Sequence, residues 1–340
     1  MPEHDAQHLL VPPAPPEKKT DRRRFLAQLG LLAAGAGALA PLLRGALPRK
    51  MQRIEVGRPA LGTWVRMVLQ DGDPARANRA AERAFEAIAR VDRQMSIHRP
   101  DSQLVRVNAA AGRGTEPVDP AVLDVVERAC DTARRTGDVY DPTVFPLMRL
   151  YGFYDSGKDR YPGDREIAAV LGLMGHRRVV VDRAGGRLGL TTPGASLDLG
   201  SIGKGWALDR AVDAIRAEGV QSALVDVGGN VYGLGTPEPD AEGWSVGVVH
   251  PVTGRIDRTF VLRDMAVATS GNSEQSRILG HVKVGHIFDA RRGRPANGHL
   301  SASVVARTGV DSDHHSTTAF LLGPDRFHGF PGVLEAYFIG

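Results

Sequence analysis

Apolar residues recur along this chain with two different periods. Residues 54–56 and 63–69 alternate apolar with polar, the two-residue period of strands, with Leu61-Gly62 between them. From 74 to 95 the period lengthens, and Ala77, Ala80, Ala84, Phe85, Ile88 and Val91 share one helical face. A short helix is expected to end at Asn108, capped by Asp101 or Ser102. Another opens at Asp119-Pro120 and closes at Thr136-Gly137. Residues 177–191 read as a hairpin turning at Gly185-Gly186, and 244–249, 258–262 and 266–268 as successive strands. This pattern predicts an α+β fold, an antiparallel sheet with helices packed against it.

The most informative stretch is 196–229. Asp198 closes a short apolar run expected to be a strand, and Gly200-Ser201-Ile202-Gly203-Lys204-Gly205 follows as a tight turn. Ala207, Ala211, Val212 and Ile215 then recur at helical spacing up to Gly219, and Leu224, Val225 and Val227 run as a strand into Gly228-Gly229. A glycine turn at a helix N-terminus offers backbone N–H groups to a phosphate, and Lys204 adds a point charge for an anion. It is neither a Walker A loop, because Gly205 follows Gly203-Lys204, nor a G-x-G-x-x-G fingerprint.

Three other stretches carry polar groups in unexpected places. Val139-Tyr140-Asp141-Pro142 begins a stiff loop with one acid and one aromatic. Residues 284–289 read as a strand delivering His286 and Asp289 before a tight turn. Asp313 and Thr317, four apart in a segment expected to be capped by Asp311 or Ser312, share a helix face. Their carboxylate and hydroxyl are hard oxygen ligands, better suited to Mg²⁺ than to zinc.

Charge changes the picture only locally. Of 43 Lys/Arg and 39 Asp/Glu in 340 residues, the first 50 hold eight and four, which leaves 35 of each beyond them. The body is neutral, so the pI near 9.4 lends no support to nucleic-acid binding. The single cysteine, Cys130, excludes an internal disulfide. Residues 1–19 are polar and proline-rich and expected to be disordered. Arg22-Arg23-Arg24-Phe25-Leu26 and the apolar run 29–43 resemble a twin-arginine export signal, with Ala38-Leu39-Ala40 as a cleavage site. The run is shorter than the roughly 20 residues of a membrane span, so a periplasmic location is favoured over an uncleaved anchor. Residues 51–340 are read as one functional domain.

Seven motifs occur in order: Leu61-Gly62-Thr63-Trp64; Ser96 with Pro100-Asp101-Ser102; Tyr140-Asp141-Pro142-Thr143; Asp198-Leu199-Gly200-Ser201 with Lys204-Gly205; Val225-Asp226 with Gly228-Gly229; Ala268-Thr269-Ser270-Gly271; and His286-Ile287 with Asp289, Gly293 and Pro295. In this they resemble the ApbE family of FAD:protein FMN transferases, over nearly the whole chain from Val56. The resemblance implies an α+β, T-fold-like architecture with a smaller flanking α/β part. It implies an enzyme that uses FAD and Mg²⁺ to place FMN on a Ser or Thr of another protein, releasing AMP. The acceptor would be a membrane-bound respiratory electron-transfer protein.

Carried over by motif, Leu61, His98, Val139, Tyr140, Asp141, Asp198, Lys204 and Ile287 would contact FAD. The Ser201 carbonyl, Asp313 and Thr317 would hold Mg²⁺, and His286 would act as base, with Asp289 orienting or replacing it. The chain departs from the family pattern at Leu61, where a methionine is usual, and at His98, where a tyrosine is common. It departs again at Ser312-Asp313-His314-His315-Ser316-Thr317-Thr318, where histidines replace Ala-Leu. With His281, His286 and His299, those two histidines form a conceivable transition-metal set. Two alternatives stay open: hydrolysis of FAD to FMN and AMP, and an exported FAD-binding protein without catalysis.

Overall fold

The computed structural model describes residues 51–154, 158–272 and 275–340. The export signal and the proline-rich start lie outside these residues. No helix among the described residues is long and apolar enough to cross a membrane.

Seven antiparallel strands form the central sheet: β1 (Gln52–Ala60), β2 (Thr63–Asp71), β3 (Ser222–Val227), β4 (Asn230–Leu234), β5 (Met265–Gly271), β6 (Ser301–Ala306) and β7 (Val333–Ile339). They lie side by side in chain order, a meander whose connections carry the rest of the molecule. Alternation decides the faces. Val65, Met67 and Leu69 of β2, with Ala223, Val225 and Val227 of β3, turn to one side and enter the main core. Their intervening neighbours Val68 and Leu224 turn to the other, where Trp244, Val246, Phe260 and Leu262 of the hairpin Trp244–Val249/Ile256–Leu262 cover them.

The main core is closed by helices. α1 (Pro74–Met95) begins where the Asp73 side chain accepts from the amides of Ala75 and Arg76, and buries Ala77, Ala80, Ala84, Ile88 and Val91. α2 (Gln103–Ala109) is capped by Ser102 rather than Asp101, whose carboxylate instead pairs with Arg99. α3 (Pro120–Thr136) runs from an Asp119 cap to Gly137 in the left-handed region, φ 61°. It buries Cys130, whose thiol pKa burial pushes up to about 12. A small antiparallel sheet of Thr115–Pro117, Arg187–Leu190 and Val179–Asp182 flanks this part. The short helices α4 (Phe145–Leu150) and α5 (Asp164–Leu171) form a satellite cluster with Phe288.

Two expectations are corrected here. The apolar run ending at Asp198 is not a strand. The Asn108 side chain takes the place of a neighbouring strand: its amide donates to the Leu197 carbonyl at 2.9 Å, and its oxygen accepts from the Leu197 amide at 2.8 Å. Nor is 284–289 one strand. Val282–Gly285 pairs with Ser276–Leu279 and Phe288–Asp289 with Arg294–Pro295, so His286 and Asp289 belong to different hairpins. The chain breaks there because Ile287 and Phe288 are buried in two separate clusters.

Candidate active site

The site is built where helix α6 (Gly203–Ala217) meets helix α7 (Gly309–Leu322). α6 starts at Gly203, which places Lys204 in its first turn, and Gly219 (φ 87°) follows its end. α7 starts earlier than expected, because Thr308 and not Asp311 or Ser312 is its cap. The Thr308 hydroxyl accepts from the Asp311 amide and donates to the Asp311 carboxylate. Asp209 of α6 accepts from the Gly309 and Val310 amides and so locks the two helices together.

This packing brings Asp313 onto the glycine turn. Its Oδ2 accepts from the Gly205 amide at 2.7 Å, while its Oδ1 lies 3.7 Å from the Lys204 ammonium. A side chain at Gly205 has no room: a Cβ there would stand 2.2 Å from the Gly309 carbonyl oxygen and 2.5 Å from the Asp313 Cβ. One turn along α7, the Thr317 hydroxyl is 3.1 Å from the Ser270 hydroxyl. Across the turn, the Ser201 hydroxyl meets the buried Tyr140 phenol at 2.9 Å. The donors are one carboxylate, hydroxyls and backbone carbonyls. Such a set fits Mg²⁺, a hard ion that completes its shell with water and substrate phosphate.

Tyr140 and its neighbours are fixed from behind. The Val139 carbonyl accepts from the Ala290 amide at 3.0 Å. Asp141 takes the amide and hydroxyl of Thr143 and the amide of His176; burial nevertheless raises its pKa. Asp141 is thus a brace for its loop. The Asp198 amide donates to the Pro142 carbonyl, joining that loop to the glycine turn.

Asp198 presents its carboxylate to two donors, the Gly200 amide and the Tyr154 phenol, both at 2.7 Å. Burial and the Asp198 charge hold Tyr154 protonated by raising its pKa. The Tyr154 ring in turn lies 5.3 Å from His98 and 4.8 Å from Phe145. Tyr154 and Phe145 are site residues that sequence reasoning missed. The aromatic-rich run Tyr151-Gly152-Phe153-Tyr154 was the available signal for Tyr154.

Leu61 sits at the tip of the β1–β2 hairpin at φ 52°, followed by Gly62 at φ 69°. Two left-handed residues are what a two-residue turn of this hand demands, and a leucine there is strained. The Gly228 amide donates to the Trp64 carbonyl, so the Gly228-Gly229 turn sits at the same end of the sheet.

His286 is half-buried, 6.5 Å from the Phe153 ring. Its Nδ1 lies 3.1 Å from the Gln275 carbonyl oxygen, which can only accept. Nδ1 therefore carries the proton, and Nε2 keeps a lone pair. Burial lowers the His286 pKa, opposed by the Gln275 carbonyl; Lys204 lowers it further and Asp198 raises it. Those two residues thus lie within electrostatic reach of the imidazole. Asp289 does not orient this ring. Its carboxylate is bonded to the Arg291 guanidinium and amide; burial opposes its charge, but these donors prevail and hold its pKa below the usual range. Ile287 is buried against Ala302, Val304 and Phe320.

The structure brings His314 and His315 together with Asp311, and not with His281, His286 or His299. Asp138, Asp141 and His176 form a second cluster, in which His176 Nδ1 is already paired with Asp138 at 2.8 Å.

The chain is similar to known proteins over most of its length. An FAD:protein FMN transferase of Treponema pallidum (strain Nichols) is 32% identical over 314 residues, covering 86% of this chain and 84% of that protein. One from Klebsiella pneumoniae (strain 342) is 30% identical over 251 residues, covering 72% and 76%. The crystal structure of the ApbE protein of Thermotoga maritima superimposes with TM-score 0.74 at 30% identity, over 80% of this chain and 87% of that one. The flavin transferase ApbE of Vibrio cholerae gives the same TM-score at 25% identity, over 85% and 98%. A family model described as the ApbE family matches residues 61–335. This chain belongs to the ApbE family.

Proposed function

We propose that this protein is a Mg²⁺-dependent FAD:protein FMN transferase acting on a Ser or Thr hydroxyl. The observation that carries the reading is the convergence of Asp313 and Lys204 on the glycine turn, with the His286 imidazole feeling the charges of both Lys204 and Asp198. The names of the similar proteins from Treponema and Klebsiella support it.

Each residue then has a task. The Lys204 ammonium, held at the glycine turn beside Asp313, receives the negative charge of the pyrophosphate. Asp313, Thr317 and the Ser201 carbonyl would hold Mg²⁺, which when bound neutralises phosphate charge. Leu61, His98 and Ile287 line the flavin side, with Tyr154 supporting His98. His286 Nε2 takes the proton of the acceptor hydroxyl as its oxygen bonds to the flavin-side phosphorus. The bridging P–O bond breaks and AMP leaves with that oxygen, so protein-OH and FAD become protein-O-FMN, AMP and a proton.

We place the reaction in the periplasm, on an acceptor in a membrane-bound respiratory electron-transfer protein, on the strength of the twin-arginine pattern at Arg22-Arg23. The decisive experiment incubates the purified protein with FAD, Mg²⁺ and a candidate acceptor domain, with and without EDTA. A gain of one FMN phosphoester on the acceptor, lost with EDTA, is expected. Free FMN and AMP without that gain, across a panel of acceptors, would replace transfer with hydrolysis. Fractionation of tagged full-length protein, with an Arg22→Lys/Arg23→Lys control that stays in the cytoplasm, tests the location.

A further inference from the structure

Helix α7 carries a second constellation, on a different face from Asp313. Asp311, His314 and His315 stand at i, i+3 and i+4 and each offers one ligand atom, all within 4.8 Å of one another. Both imidazoles are 3% exposed. Their ring centroids lie 3.8 Å apart, with the planes tilted by 41°. Burying two imidazoles in contact is costly unless their polar atoms are matched.

The hydrogen bonds around them decide where the lone pairs are. His314 Nδ1 meets the Val310 carbonyl, so it carries the proton and leaves Nε2 as a lone pair. The buried Nδ1 of His315 has no hydrogen-bond partner at all. No acceptor there holds a proton on it, so this nitrogen is open to an ion. The His314 ring is fixed by an N–H to a carbonyl and presents its other nitrogen, the outer-shell arrangement of a metal-bound histidine. The third donor, Asp311, is anchored through Oδ2 by the Thr308 hydroxyl at 2.7 Å. Its Oδ1 has the half-exposed Arg128 guanidinium at 3.5 Å, a long contact that a bound cation would displace.

We propose that Asp311, His314 and His315 form a binding site for a borderline transition-metal ion of the Zn²⁺ or Co²⁺ type, separate from the Mg²⁺ position. Two imidazole nitrogens and one carboxylate oxygen select such ions over Mg²⁺. A tetrahedral zinc centre with bonds near ~2.1 Å sets its ligand atoms roughly 3.4 Å apart. The ligand atoms, now within 4.8 Å of one another, would draw together to that value on binding, with water in the fourth position. The His315 ring also packs 5.2 Å from Phe330 and 6.4 Å from Phe327. The ion would staple the first turns of α7, steadying the helix that carries Asp313 and Thr317.

The test uses the full-length protein, stripped with EDTA, desalted, and titrated with Co²⁺ or Zn²⁺ in excess Mg²⁺. One equivalent of Co²⁺ with the visible absorption of a low-coordinate site is expected. Zinc X-ray absorption should show two imidazoles in the first shell, and the thermal midpoint should rise with Zn²⁺. His315→Leu and Asp311→Asn should each weaken binding at least ~10-fold, whereas Asp313→Asn should leave it unchanged. No stoichiometric binding in excess Mg²⁺, a shell without two imidazoles, or wild-type affinity in folded His315→Leu would overturn the proposal. If His315→Leu does not fold, the absorption spectrum of the wild-type protein decides. None of these readouts depends on FMN transfer, so the site and the proposed activity stand or fall separately.

Discussion

The Asp313 carboxylate accepts a 2.7 Å hydrogen bond from the Gly205 amide, 108 residues away in sequence. That bond joins the turn suited to phosphate with the helix suited to the metal. It forms only because Gly205 lets the two helices approach to backbone contact.

Gly205→Ala should therefore damage both fold and site. The added Cβ meets backbone on one side and the Asp313 Cβ on the other, neither of which is a flexible side-chain end. A loss of ~1–3 kcal/mol in denaturant unfolding is expected. Transfer should fall further than this explains, because Asp313 is displaced. Wild-type FMN transfer by the variant would refute the placement of the site.

His286 sets the response to acid. Burial lowers its pKa, and only the neutral ring can accept a proton. Activity should therefore be flat from neutral pH down to below the ordinary histidine value, then fall as the ring becomes protonated. His286→Ala should cost ~10²–10⁴-fold in kcat and remove that acid limb. A pH–rate profile of both proteins checks the assignment, and an acid limb that survives in the variant would assign it to another group.

Tyr154→Phe keeps the ring beside His98 and Phe145 but deletes the phenol that donates to Asp198. A hydrogen bond to a charged acceptor contributes about 1.5–3 kcal/mol. The bond is made within the unliganded protein, so unfolding stability should fall by a comparable amount, and FAD affinity should fall as far as Asp198 loses its position. Fluorescence titration with FAD measures it, and unchanged affinity would show that Asp198 does not need this donor.

Asp209 makes stability depend on pH. Burial raises its pKa from 3.8 to about 6, against the pull of the Val310 and Gly309 amides. The folded protein thus holds this proton more tightly than the unfolded chain. Its contribution is full below pH 3.8 and is lost as the pH rises to about 6. Asp209→Asn should remove that part of the pH dependence. Unfolding of both proteins across this range should show the wild type losing stability relative to the variant, and parallel curves would contradict the shift.

Much of this protein was legible in its sequence, because the signals were local. Helical spacing over 74–95 was sufficient for α1, the Asp119-Pro120 start for α3, and alternation for β2. Motif order pointed to the family, and four-residue spacing placed Asp313 and Thr317 on one face. Tertiary structure alone decided what depends on distant packing. Asn108 stands in for a strand beside Leu197, Tyr154 reaches Asp198, and the Gln275 carbonyl rather than Asp289 selects the His286 tautomer. Even the Asp311, His314 and His315 spacing became informative only when the His315 Nδ1 was seen to be buried without a partner. Periodicity tells each side chain which face it occupies. Which groups meet across that face depends on sheet register and helix docking, which are settled by the whole core at once.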